Sequence, residues 1–176
     1  MSCTVSILIT TFHRPHLLKW GLFSLAKQAM PVEFETIVLN DGIDDETESI
    51  CRQYKEQLNI RYVFTGQRNL DGQIKWRVPG FAINIGARLS KGKVLIISCA
   101  EMFHLNDCIA HLTFPVLVNQ KRLSIPIARD DQDASFLRKL ETTDGKFDFV
   151  EFYNNYPHLN IRLPFLMAVS REEFFA

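Results

Sequence analysis

The sequence predicts an α/β fold in which a mostly parallel central sheet is flanked by helices. Two observations carry that expectation. Strand-like and helix-like patterns alternate four times over the first hundred residues, and such alternation builds a parallel sheet through right-handed crossovers. The run Val94-Leu95-Ile96-Ile97 is apolar without interruption, as a central parallel strand is when helices cover both its faces.

Each element has a local cause. Val5–Phe12 (VSILITTF) is rich in β-branched residues and reads as the first strand. His13-Arg14-Pro15 ends it, and Pro15 suits the first turn of a helix in which Leu17, Leu18, Leu22 and Leu25 recur at helical spacing. A loop turns around Pro31. Phe34–Leu39 is the second strand and stops at Asn40-Asp41-Gly42. Asp44 or Asp45 caps the next helix, Glu46 and Glu48 favour its first turn, and it is expected to run to Gln57. Ile60–Phe64 is the third strand. A long polar loop follows over 66–80, then a helix over Phe81–Ser90 stopped by Gly92. The fourth strand opens at Val94.

The second half is less regular. Residues 106–119 suit a helix that Pro115 must kink or end. Leu123–Ala128 reads as a strand, Asp130–Asp148 as a polar loop, and Leu163–Val169 as another strand. Ser170-Arg171-Glu172-Glu173 is a capping box that opens a final helix.

Composition bounds the function. Of 176 residues, 47% are apolar, enough for one domain with a core. Lysine plus arginine equals aspartate plus glutamate, 20 each. That balance argues against nucleic acid as a partner and against a broad anionic-membrane surface, while leaving room for a local basic patch. No segment is long and apolar enough to cross a bilayer. The N-terminus has neither the basic region nor the cleavage site of a secretory signal. A cytoplasmic chain is therefore expected, with Cys3, Cys51, Cys99 and Cys108 as reduced thiols.

The fingerprints G-x-G-x-x-G and G-x-x-x-x-G-K-[ST] are absent, which removes the commonest dinucleotide and P-loop readings. A different ordered pattern is present. VSILITTFHRP is followed by Leu22-Phe23-Ser24-Leu25 and Gln28, then FETIVLNDG, then Asn84-Ile85-Gly86, then Gly92 before an apolar strand. Together these resemble the donor-binding half of inverting family 2 glycosyltransferases, which have the GT-A fold. The resemblance covers roughly residues 4–104, and FLMAVSREEFF resembles the family's later strand and helix. It implies one glycosyltransferase-like domain over 1–176. Residues 1–104 would be the nucleotide-sugar-binding half and 105–176 a partial acceptor-side half, in a short member of the family or a fragment of one.

The resemblance also implies roles. Thr10, Thr11, Phe12 and Arg14 would line the nucleotide pocket, and Asp41 would contact the base. Asn84 occupies the asparagine position of a family segment whose arginine is Ile83 here. Arg68 or Arg77 would supply the missing grip on phosphate. Counting from Gly92 places the family's Asp-x-Asp on Cys99-Ala100-Glu101. Glu101 would hold Mg²⁺ or Mn²⁺, whereas Cys99 is a soft ligand poorly matched to Mg²⁺. His104 would add a nitrogen ligand that favours Mn²⁺. The implied activity moves a sugar, with inversion, from a nucleoside-diphosphate sugar to a hydroxyl acceptor, glycan or lipid-linked, in cell-surface polysaccharide synthesis, with a peripheral place at the inner face of the membrane as part of that expectation. No general base aligns; Asp130 and Asp131, with Asp133, are candidates by chemistry alone.

Blander readings stand beside these. Asp41-Gly42 is also an ordinary turn, and the aspartates at 130–133 suit a solvated loop. Trp76-Arg77 with Val78-Pro79-Gly80 reads equally as a lid or as loop packing. Two rival functions remain. One is a nucleotide-sugar-binding module without turnover, which Cys99 and the missing base favour. The other is a zinc-stabilised interaction domain built on Cys99, His104, Cys108 and His111.

Overall fold

A computed structural model describes residues 3–67, 78–158 and 165–176. The chain divides into two units, Met1–Ile125 with Pro164–Ala176, and Pro126–Leu163.

In the first unit five strands form one sheet: β1 (Val5–Thr11), β2 (Phe34–Asn40), β3 (Ile60–Phe64), β4 (Val94–Cys99) and β5 (Met167–Ser170), in the order β3-β2-β1-β4-β5. The first four are mutually parallel, and β5 pairs antiparallel with β4 at the edge. Helices α1 (Pro15–Leu25), α2 (Thr47–Gln53), α3 (Gly80–Leu89) and α4 (Cys108–Val118) connect or follow the parallel strands, and α7 (Arg171–Phe175) ends the chain. This is the sheet that the sequence implied.

Both faces of the sheet are covered. Ile7, Ile9, Val38 and Ile96 pack with Leu18, Leu22 and Leu25 of α1 and with Ile109, Leu112 and Val116 of α4. On the other face Leu8, Ile37, Leu39 and Leu95 pack with Ala82 and Ala87 of α3. Full burial contributes about 1.5–3 kcal/mol per large aliphatic side chain. That outweighs the roughly 1 kcal/mol forgone at the start of α1, where no side chain caps the helix.

The same balance governs Pro115, which lies inside α4 without ending it. Val116 beyond it and Ile109 and Leu112 before it are all buried, and together they exceed the roughly 3 kcal/mol cost of an interior proline. α2 stops at Gln53, short of Gln57, because the buried Leu58 draws the chain down toward β3. Residues 123–128 form no strand. Ser124 exchanges both backbone hydrogen bonds with Ala168, and Pro126, lacking an N–H, cannot extend that ladder.

Gly92 sits where a Cβ would lie 2.5 Å from the Ser6 backbone nitrogen and 2.6 Å from the Val5 carbonyl carbon. The turn into β4 is thus pressed onto β1. It is fastened by Ser6 Oγ, which accepts from the Gly92 N–H at 2.8 Å and donates to Glu35 at 2.6 Å.

The second unit contains α5 (Ser135–Thr142), where the sequence reading expected a loop, and α6 (Phe149–Asn155), which begins just past that stretch. Asp131 accepts from the Phe136 and Leu137 N–H groups at 3.1 and 3.0 Å. Asp148 caps α6 through Val150 and Glu151. Phe136 and Leu140, one turn apart, are buried, and the Phe136 ring packs against Phe147, Phe152 and Tyr156.

Candidate functional site

The carboxyl ends of β1, β2 and β4 lie side by side, the position at which open α/β sheets bind ligands. Register brings Thr10 opposite Cys99 on one side and Thr11 opposite Asn40 on the other. The Ala100 N–H donates to the Thr10 carbonyl at 3.0 Å, and the Asp41 N–H to the Thr11 carbonyl at 2.9 Å. The two loops that follow β2 and β4 are therefore tied to the end of β1.

Seven anticipated residues occupy this end. Thr11 is 3% exposed, and its hydroxyl has no hydrogen-bond partner. Asp41, also buried, accepts from the Thr65 hydroxyl at 2.6 Å. Arg14 and Glu101 form an ion pair across the mouth of the site, from the loop after β1 to the turn after β4. Phe12 packs edge-on against His13, whose φ of 56° turns the chain out of the strand. Thr10 and Ala100 serve the framework, both nearly buried within the strand ends.

Asn84 is exposed on α3. Arg68 and Arg77, with the Trp76 lid reading, fall outside the described residues. Asp130 and Asp131 belong to the second unit. Both Asp131 carboxylate oxygens are engaged by the α5 N-terminus, a capping role that accounts for this residue without catalysis.

His104 departs from its expected role as a ligand. It is 4% exposed beneath α1, and the Ser24 hydroxyl meets its Nδ1 at 3.1 Å and accepts its backbone N–H at 2.8 Å. Burial pushes the imidazole pKa down to about 4, opposed by the Gly21 carbonyl. His104 is a neutral core residue that positions the 101–109 segment. Gln28 completes that anchor, donating to the His104 carbonyl and accepting from the Ile109 N–H, each at 3.2 Å.

Burial, followed by the neighbouring Glu101 carboxylate, pushes the Cys99 thiol well above its usual range. Cys99 is thus a protonated thiol rather than a thiolate ligand. Among the described residues no group of three His, Cys, Asp or Glu side chains is placed to hold a metal, so the zinc quartet Cys99, His104, Cys108 and His111 is not assembled. The donor set at the end of β4 is one carboxylate, Glu101. A single hard oxygen ligand fits Mg²⁺ or Mn²⁺ when substrate phosphates and water supply the remaining positions.

Two contributors escaped the sequence reading. Asn40 is fully buried, and its amide nitrogen lies 2.7 Å from the Ile43 carbonyl, 3.1 Å from Asp45 and 3.2 Å from the Tyr62 hydroxyl, with two N–H groups to share among the three acceptors. It shapes the turn that presents Asp41. Thr65 holds the Asp41 carboxylate from the end of β3. Their signal was positional: Asn40 is the last residue of β2 and Thr65 the first after β3.

Comparison with known proteins gives this geometry a context. The sequence model described as glycosyl transferase family 2 matches residues 6–174. The hyaluronan synthase of Pasteurella multocida is 39% identical over 87 residues, which are 49% of this chain and 8% of that protein. The validoxylamine A glucosyltransferase of Streptomyces hygroscopicus subsp. limoneus is 39% identical over 92 residues, 52% of this chain and 19% of that protein. The chain thus spans a small part of the length of these curated relatives. The structure of the mannosyltransferase PcManGT from Pyrobaculum calidifontis in complex with GDP-Man and Mn²⁺ superposes with a TM-score of 0.66 at 18% identity, over 98% of this chain and 46% of that one. Glucosyl-3-phosphoglycerate synthase from Mycobacterium tuberculosis in complex with UDP gives 0.58 at 16% identity, over 97% and 57%. At these identities the likeness concerns the fold, which is GT-A.

Proposed function

The chain belongs to glycosyl transferase family 2, and from that premise we propose that it transfers a sugar, with inversion, from a nucleoside-diphosphate sugar to a hydroxyl acceptor. The observation that carries this reading is the convergence of Thr11, Asp41, Arg14 and Glu101 on the carboxyl ends of adjacent strands. The GDP-Man and UDP complexes of proteins with the same fold support a donor of that class.

The residues divide the work by their chemistry. The Thr11 hydroxyl, buried and without a partner, is a ready hydrogen-bond group for the nucleoside, and Asp41, oriented by Thr65, accepts from the base. Arg14 presents a planar fork suited to the diphosphate. Glu101 would hold the divalent cation, which when bound neutralises charge on the leaving diphosphate. A general base is needed to deprotonate the acceptor hydroxyl. Asp130 is a candidate by chemistry alone, as is Asp133, whereas both oxygens of Asp131 are taken up by the α5 N-terminus. Hyaluronan synthase among the relatives supports a carbohydrate acceptor and a place in polysaccharide synthesis.

The test is a thermal-shift panel of nucleoside diphosphates and their sugars, with and without Mn²⁺. A ligand that binds only the folded state raises Tm by mass action. One nucleotide is expected to shift Tm in a Mn²⁺-dependent way, and Glu101→Ala to abolish the dependence. Absence of any shift in the wild-type chain would sink the donor site. The ion pair of Glu101 with Arg14 and the protonated Cys99 favour a second reading, a donor-binding module without turnover. It predicts the same shift with no release of nucleoside diphosphate, even by slow hydrolysis.

A further inference from the structure

Helix α4 is apolar around its whole circumference. Ile109, Leu112 and Val116 are buried in the core. The opposite stripe is open: His111, Phe114, Leu117 and Val118 fall at helical spacing, and the last three are 44%, 37% and 81% exposed. Such a helix is ordinarily buried on all sides. The chain leaves α4 through Asn119, Gln120, Lys121 and Arg122, all exposed, into Leu123, itself 56% exposed. No acidic residue occurs between Asp107 and Asp130, although the chain as a whole carries as many acidic as basic residues. An open apolar stripe therefore adjoins two cations with no carboxylate in the same stretch.

We infer that this face docks on an anionic lipid surface. Phe114, Leu117, Val118 and Leu123 enter the boundary between headgroups and acyl chains, and Lys121 and Arg122 pair with headgroup phosphates. Charge chooses this occupant over a second copy of the chain. A two-fold contact would place the patch against itself, bringing Lys121 and Arg122 near their own equivalents with no acidic partner in the stretch. A bilayer that carries negative charge satisfies both halves of the patch at once. The inference stands apart from the donor chemistry, since none of these residues is assigned to the donor site.

The test is co-sedimentation of the full chain with vesicles of phosphatidylcholine, alone or mixed with phosphatidylglycerol, at low and high salt. Binding to the mixed vesicles, weakened by salt and weak or absent on phosphatidylcholine alone, is expected. Each basic residue near such a surface contributes about five-fold in affinity, so Lys121→Glu with Arg122→Glu should lose at least about twenty-five-fold. Val118→Asp should lose binding as well. Because these positions are exposed, unchanged Tm and unchanged donor binding in the variants would show that the losses are not unfolding. No sedimentation with the mixed vesicles, or equal sedimentation of the charge-reversed variant, overturns the proposal. So does concentration-dependent self-association that Val118→Asp dissolves in the absence of vesicle binding.

Discussion

Arg14, in the loop after β1, is ion-paired with Glu101, in the turn after β4. Their side chains are 51% and 34% exposed, so the pair adds little to stability, about 0–1 kcal/mol. Its consequence is chemical. On the proposed assignment, a cation on Glu101 and a diphosphate on Arg14 would each compete with this ion pair.

Arg14→Ala is therefore expected to leave Tm nearly unchanged while weakening nucleoside-diphosphate binding about ten-fold, the scale of one charge-assisted hydrogen bond. The same substitution should strengthen Mn²⁺ binding to the nucleotide-free chain, since Glu101 loses its competitor. Titration calorimetry reads both. If the two affinities match the wild type, the pair has no part in the site.

Stability should fall with acid through His104. Its folded pKa is held near 4, below its ordinary 6.5, so between those values the unfolded chain binds more protons. The contribution is complete above pH 6.5 and is lost as pH falls toward 4, amounting to on the order of 3 kcal/mol. Urea midpoints across that window should decline steeply in the wild type and less so in His104→Gln. Parallel curves would show that another group drives the acid transition.

Gly92→Ala should destabilise the chain by about 2 kcal/mol or more, because the added carbon would meet backbone atoms of Val5 and Ser6 that cannot swing aside. A denaturant midpoint within error of the wild type would mean that the turn has room to move. Since Gly92 anchors the approach to β4, the variant should also weaken donor binding.

The two aspartates of the second unit should separate. Asp131→Ala removes the cap of α5 and should cost about 1 kcal/mol, with donor affinity unchanged. Asp130→Asn should lower kcat by about 10²–10⁴-fold if Asp130 serves as base, again with donor affinity and Tm unchanged. Full activity in Asp130→Asn would leave the base to be found elsewhere.

The sheet was legible because burial on both faces leaves a strong mark. Ile7, Leu8, Ile9, Ile37, Val38 and Leu39 had to be apolar wherever helices lay above and below. Asp41 and Glu101 were singled out through the family resemblance, and the structure places them just beyond β2 and β4. His104 was misread because its letter suggests a ligand, whereas its surroundings, Ser24 and the wall of α1, are visible only when the chain is folded. α5 was hidden by its polar composition. Only Phe136 and Leu140 face inward, too few to stand out as a periodic stripe, and the Asp131 cap resembles any loop aspartate. Pro115 did not end the helix outlined over 106–119; α4 runs on to Val118 because its neighbours are buried.

The reciprocal hydrogen bonds between Ser124 and Ala168 have an architectural consequence. They clasp the chain where it departs toward the second unit and where it comes back, so Pro126–Leu163 is an insert with a single doorway. Closing a loop depends weakly on its length, roughly 0.6 kcal/mol for each doubling. Such an insert can be lengthened, shortened or exchanged among descendants of a common ancestor while the clasp, and the strand register behind it, stay as they are.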